Sequence, residues 1–129
     1  MENRRVLIDT SVLIDFFRKK NKKKSLLYKI RKTHEIYASS VSEFEFLAGV
    51  KGDVVKSLKH FFNEINVIPF DSNAAAIASS IYKDLKARNL VIEFRDIFIA
   101  ATAIAKDLPI STLNRNHFER IEELEILEI

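Results

Sequence analysis

Three carboxylates in this 129-residue chain fall where short apolar runs give way to helical patterns. Asp9 ends the run Arg5-Val6-Leu7-Ile8-Asp9, Glu43 lies near the start of the helical stretch Val41–Val50, and Asp96 stands immediately before the apolar stretch Ile97–Ala105. A carboxylate at the end of a buried strand is costly unless a cation or hydrogen bonds compensate it. Asp9 and Asp96 also have a plain structural use as helix N-caps. On a helical wheel with about 100° per residue, Val41, Phe44, Phe46, Leu47, Ala48 and Val50 form a broad apolar arc. Glu43 falls within that arc and Glu45 outside it, so Glu43 is expected to face the core and to need a partner. The chain has no cysteine. Three acids without a thiolate suit a hard divalent cation, Mg²⁺ or Mn²⁺, held by oxygen ligands. Such sites carry out metal-assisted phosphodiester hydrolysis, because the ion lowers the pKa of a bound water and neutralises carboxylates that repel each other and a nucleic acid.

The elements that must position these acids alternate along the chain. Apolar runs at Arg5–Asp9, Glu35–Ala38, Asn66–Phe70, Leu108–Thr112 and Leu124–Ile129 read as strands. They are continuous rather than alternating, which suits strands covered on both faces. Helical patterns fill the gaps: Thr10–Lys20, Ser25–Lys32, Val41–Val50, Val54–Glu64, Asn73–Arg88 with Asp71 or Ser72 as N-cap, and Ile97–Ala105. The last is apolar all round and is expected to be buried, with Ala100 and Ala103 allowing close packing. The alternation predicts an α/β fold with a mostly parallel sheet. Ligands in such sheets bind outside the carboxyl ends of the strands, which selects Asp9, Ser39-Ser40, Asp71 and Thr112–Asn114, with Ser11, Glu43 and Asp96 at adjacent helix starts.

Composition limits the function classes. The length predicts one domain over residues 1–129, and 47% apolar with 30% charged residues is a globular composition. Absent cysteine excludes disulfides and thiolate metal sites. His34, His60 and His117 share no zinc-ligand spacing, which argues against zinc hydrolysis. The longest charge-free stretch, Ser72–Tyr82, is too short to span a membrane, and the first residues lack the pattern of a secretion signal, so a cytoplasmic location is expected. Net charge is +3, but Arg18–Lys32 carries nine Lys or Arg and no acid, leaving −6 on the rest. That segment is either a solvated surface or a docking face for a polyanion.

Four motifs in order resemble the PIN domain family, specifically VapC-type toxin ribonucleases, over essentially the whole chain. They are Val6-Leu7-Ile8-Asp9-Thr10-Ser11-Val12-Leu13-Ile14-Asp15, Ser40-Val41-Ser42-Glu43-Phe44-Glu45-Phe46-Leu47-Ala48-Gly49, Arg95-Asp96-Ile97-Phe98-Ile99-Ala100-Ala101-Thr102-Ala103, and Ser111-Thr112-Leu113-Asn114-Arg115-Asn116-His117-Phe118. The resemblance implies a PIN-like three-layer domain, with a five-stranded mostly parallel sheet and helices on both faces. It implies a Mg²⁺- or Mn²⁺-dependent endoribonuclease acting on transfer or ribosomal RNA, a homodimer, and a cognate antitoxin that inserts a segment near the acidic pocket. Asp9, Glu43 and Asp96 then become the metal ligands and, with Asn114, the catalytic set. The family often has Asp where this chain has Asn114, a neutral oxygen donor that can orient a metal-bound water without adding charge. Ser11 and Thr112 support the set through their hydroxyls, or serve only as a cap and in strand packing. Lys22, Lys23, Lys24 and Arg115 are candidate RNA contacts, binding phosphate without sequence specificity. Asn114 in place of an acid also leaves open a non-catalytic PIN-like module that binds RNA or protein.

Overall fold

The computed structural model describes residues 4–128. Four parallel strands form its sheet in the order β3-β2-β1-β4: β1 Arg5–Ile8, β2 Glu35–Ser39, β3 Asn66–Ile68 and β4 Ile110–Ser111. The helices are α1 Thr10–Arg18, α2 Leu26–Arg31, α3 Ser40–Gly49, α4 Asp53–Glu64, α5 Ser72–Ala87, α6 Phe94–Ala105 and the short α7 Arg115–Phe118. A single 3-10 turn, Lys22–Lys24, separates α1 from α2.

Helices cover both faces of the sheet, and the continuous apolar runs follow from that. Val6 and Ile8 of β1 point into a core shared with Val12 and Leu13 of α1, Leu27 and Ile30 of α2, and Leu58 and Phe62 of α4. Leu7, between them, enters the opposite core with Ala78, Ile81 and Leu85 of α5 and Ile97, Ala100 and Ala103 of α6. Side chains alternate across a strand, so a strand buried on both faces must be apolar at every position.

The predicted fifth strand does not form. Of Leu124–Ile129, only Ile126 pairs, in an isolated parallel bridge to Ile110. Two backbone bonds hold it, Ile110 N–H to Glu125 O at 2.9 Å and Leu127 N–H to Ile110 O at 2.8 Å. β4 itself has only two residues, which leaves little ladder for a longer partner to follow. Ile129 lies outside the described residues. Helix α6 begins at Phe94 rather than Ile97, so Asp96 sits inside its first turn and is not its cap. Asp71 does cap α5, accepting from the Ala74 N–H at 2.9 Å.

Strand order reverses at β1: the chain runs outward through β2 and β3, then returns to β1's other side as β4. A crevice at such a reversal is the usual ligand position in open parallel sheets. Register places Ile8 beside Ser111, so the next residues, Asp9 and Thr112, leave the sheet together at that crevice.

α6 carries Asp96 and packs closely because fully buried Ala100 and Ala103 stand where larger side chains would hold it away. Ala100→Leu is expected to destabilise the fold by about 1–3 kcal/mol through overpacking, read as a lower denaturant midpoint in chemical unfolding.

Candidate active site

Asp9 is only 3% exposed. Its backbone conformation ends β1 and caps α1, and one oxygen accepts from the Val12 N–H at 3.2 Å and the Ser11 hydroxyl at 2.5 Å. The other oxygen accepts from the Thr112 hydroxyl at 2.6 Å. Both hydroxyls are held from behind: Thr112 Oγ1 accepts from the Asn114 N–H at 2.8 Å, and Ser11 Oγ from the Leu113 N–H at 3.0 Å. The loop after β4 is thereby stitched to the start of α1. Burial raises the Asp9 pKa above the ordinary carboxylate value, against the lowering effect of these hydrogen bonds, and the negative charge of Asp96 adds to the rise.

Asp9 and Asp96 line one cavity of about 200 Å³, together with Thr10, Ser11, Glu45, Glu93, Arg95, Asn114 and His117. His117 Nδ1 lies 3.0 Å from Asp96 Oδ2 and 2.9 Å from the Asn114 side-chain nitrogen. That ring nitrogen can serve only one of them. Donating to the carboxylate, it leaves the Asn114 amide free to turn.

The acid that α3 contributes is Glu45, not Glu43. Glu43 does not line the cavity. The helical wheel holds for Val41, Phe46, Leu47 and Val50, which pack against the two cores, but not for Phe44, which is 70% exposed. Ser42 is the fully buried residue of α3, and Glu45, one turn further on, lines the cavity. The Ser42 hydroxyl is 3.1 Å from that of Thr10. Glu45 accepts from the Thr10 hydroxyl at 2.9 Å and pairs through its other oxygen with Arg95 Nη1 at 3.2 Å. Small, polar Ser42, one turn before Glu45, was the available sequence signal. Arg95 carried none, and His117 lacked a partner at any recognisable spacing.

The candidate RNA contacts are dispersed. Lys22 donates to the carbonyls of Phe16 and Phe17 at 2.6 and 2.9 Å, closing the end of α1, so its charge is committed internally. Arg115 pairs with Glu119 and Glu128 and is likewise occupied. Lys23 and Lys24 are exposed. Asp15, close in sequence to Asp9, is a structural tie: it pairs with Lys19 at 2.9 Å and accepts from the Leu26 N–H at 3.0 Å.

As donors, Asp9, Asp96, Glu45 and the Asn114 amide are all oxygen ligands of the kind a hard dication takes. Among the described residues no three His, Cys, Asp or Glu side chains converge as a ready metal cluster. The reason is visible in the contacts: Glu45 is drawn onto Arg95 and Asp96 onto His117. The donor set fits such an ion in kind, with Glu45 needing to leave its arginine.

A PIN domain family model matches residues 6–124. The chain belongs to the PIN domain family, in its VapC branch. Ribonuclease VapC1 of Methanocaldococcus jannaschii is 33% identical over 126 residues, 95% of this chain and 85% of that protein. Ribonuclease VapC19 of Mycobacterium tuberculosis is 32% identical over 120 residues, 92% of this chain and 96% of that protein. Among solved structures, VapBC-1 from nontypeable Haemophilus influenzae matches with a TM-score of 0.83 at 17% identity, over 95% of this chain and 96% of its own. DNA-bound VapBC from Salmonella typhimurium matches at 0.81 and 22% identity, over 96% and 97%. At these identities the structural likeness is one of fold.

Two outcomes follow from the environment of Asp9. Thr112→Val removes one hydrogen bond from a buried charge and is expected to cost about 1.5–3 kcal/mol near neutral pH, measured by thermal unfolding. A carboxyl whose pKa rises on folding stabilises the fold below its unfolded value of about 3.9, and that contribution is lost as pH rises through the raised value. Asp9→Asn should therefore melt above the wild type near neutral pH, with the gap closing as pH falls toward about 4. A variant melting at or below the wild-type temperature near neutral pH would contradict the cost assigned to this buried charge.

Proposed function

We propose that this protein is a single-domain endoribonuclease over residues 1–129 that uses Mg²⁺ or Mn²⁺ to hydrolyse RNA phosphodiesters, and that it is the toxin of a toxin–antitoxin pair. The observation that carries the reading is the buried Asp9 carboxylate, fixed by three donors at the strand reversal and sharing its cavity with Asp96. So much fixing around a buried carboxylate with no basic partner among the described residues suits a group that waits for a cation. The names of the curated relatives, ribonuclease VapC, support the reaction class.

In this mechanism Asp9, Asp96 and Glu45 would hold the ion, and the Asn114 amide would orient a water for it. When bound, the ion supplies an activated water and positive charge for the phosphate. Ser11 and Thr112 keep the Asp9 oxygens aimed into the cavity. His117 fixes the rotamer of Asp96. The exposed Lys23 and Lys24 would add affinity for RNA phosphates without sequence readout. Transfer or ribosomal RNA is the proposed substrate class, the cytoplasm the proposed location, and a homodimer the proposed assembly. No described helix is long and apolar enough to cross a membrane.

A cognate antitoxin is the proposed protein partner. Several structural neighbours are VapBC complexes, and one is a toxin–antitoxin complex from Klebsiella pneumoniae. A groove of about 310 Å³ adjoins the acidic cavity through Thr10, Ile14 and Glu45, with Phe17, Phe46 and Arg18 along it. We place the inserted antitoxin segment there.

The test is incubation of total RNA with purified protein in Mn²⁺, in Mg²⁺ and in chelator, with Asp9→Asn alongside. Discrete fragments are expected only with metal and only from the wild type, because the substitution removes charge at nearly constant shape. Cleavage by the variant at the wild-type rate would remove Asp9 from the reaction. Metal-insensitive RNA binding without cleavage would favour a non-catalytic module, for which Asn114 in place of an acid is the specific observation.

A further inference from the structure

We infer that Arg95 has two alternating partners: it is the counter-ion of Glu45 while the cavity lacks a cation, and it binds the RNA phosphate once a cation takes Glu45 away. The inference rests on the metallonuclease reading and assigns a substrate-binding residue within that same site.

Arg95 directly precedes Asp96 in the first turn of α6, and its side chain lines the same cavity. The guanidinium is forked between two acids, with Nη1 3.2 Å from Glu45 Oε2 and Nη2 2.8 Å from Glu93 Oε2. It is 56% exposed, whereas the Glu45 side chain is 16% exposed. Glu45 is thus a largely covered carboxylate whose two oxygens are met by a hydroxyl and an arginine.

The charge inventory gives the arginine its second task. Four carboxylates line the cavity: Asp9, Glu45, Glu93 and Asp96. A phosphodiester entering it meets repulsion from each. Of the lining residues, Arg95 is the one whose positive charge does not depend on pH. A planar guanidinium can grip two phosphate oxygens at once, which a single ammonium does not.

Stability alone does not account for the contact. A half-exposed ion pair contributes little after screening and side-chain ordering. The same weakness makes it cheap to exchange. A dication attracts Glu45 more strongly than a solvated guanidinium does, and Arg95, still paired with Glu93 through Nη2, then has Nη1 free for substrate. Binding of cation and arginine to Glu45 is mutually exclusive, so removing the arginine must strengthen cation binding and weaken handling of RNA.

Those opposite signs are the test. Mn²⁺ binding to RNA-free wild type, Arg95→Ala and Arg95→Lys is measured by calorimetry, and cleavage of total RNA is measured at saturating Mn²⁺. Arg95→Ala is expected to bind Mn²⁺ about two- to fivefold more tightly, the change expected when an exposed ion pair no longer competes. Its cleavage rate at saturating Mn²⁺ should fall by about tenfold or more, with Arg95→Lys intermediate in both. Unchanged or weaker Mn²⁺ affinity in Arg95→Ala overturns the counter-ion role. Wild-type cleavage by Arg95→Ala at saturating Mn²⁺ overturns the phosphate role. Failure of the wild type to bind Mn²⁺ overturns the metallonuclease reading itself, and this inference with it, which separates the two failures.

Discussion

The carboxylate of Asp9 is the group around which the rest of this fold is arranged. It leaves the sheet at the one place where strand order reverses, and burial disfavours its charge. Three donors from two separate segments meet it, one backbone amide and two hydroxyls. Those hydroxyls accept in turn from the backbone after β4, so residues about a hundred positions apart in the chain are tied at this point. A network of this kind is worthwhile only if complete, because each unsatisfied member would carry its full desolvation cost. Among the described residues no buried side-chain polar atom lacks a partner.

The same network explains how a small domain tolerates several like charges in one cavity. Each acid beyond Asp9 has been given a basic or polar neighbour. Asp96 has His117, Glu45 has Thr10 and Arg95, and Glu93 has the other arm of Arg95. These contacts quench the repulsion without adding much stability, since most of the partners are partly solvated. The site therefore rests in a compensated state, and a bound cation would compete with side chains already in place. Stability is supplied elsewhere, by the two apolar cores on either face of the sheet.

Helix α3 shows that hydrophobicity alone does not say which side chains of a helix are covered. Phe44 is large and apolar yet exposed, while Ser42 is fully buried and Val41, Phe46, Leu47 and Val50 pack on the cores. Hydroxyl pairing between Ser42 and Thr10 ties α3 to α1.

By itself the sequence determined the alternation of strands and helices, the double-sided burial of β1, and the position of Asp9 at its end. These depend on local patterns, namely apolar runs, helical spacing and an acid at a strand-to-helix junction. Asp96 and Thr112 were legible for the same reason, each standing at the edge of a recognisable apolar element. Tertiary structure decided the rest. Which face of α3 turns inward depends on the surface it meets, and that choice replaced Glu43 with Glu45. Whether Leu124–Ile129 becomes a strand depends on the length of its neighbour, and two-residue β4 gave it almost nothing to pair with. Lys22 and Arg115 looked free as a charge pattern, but the folded chain brings carbonyls and glutamates to them. Arg95 acquired Glu45 only when α3 met α6, and His117 acquired Asp96 only when α7 met α6. A sequence records which groups carry charge, and only packing decides which of those charges face one another.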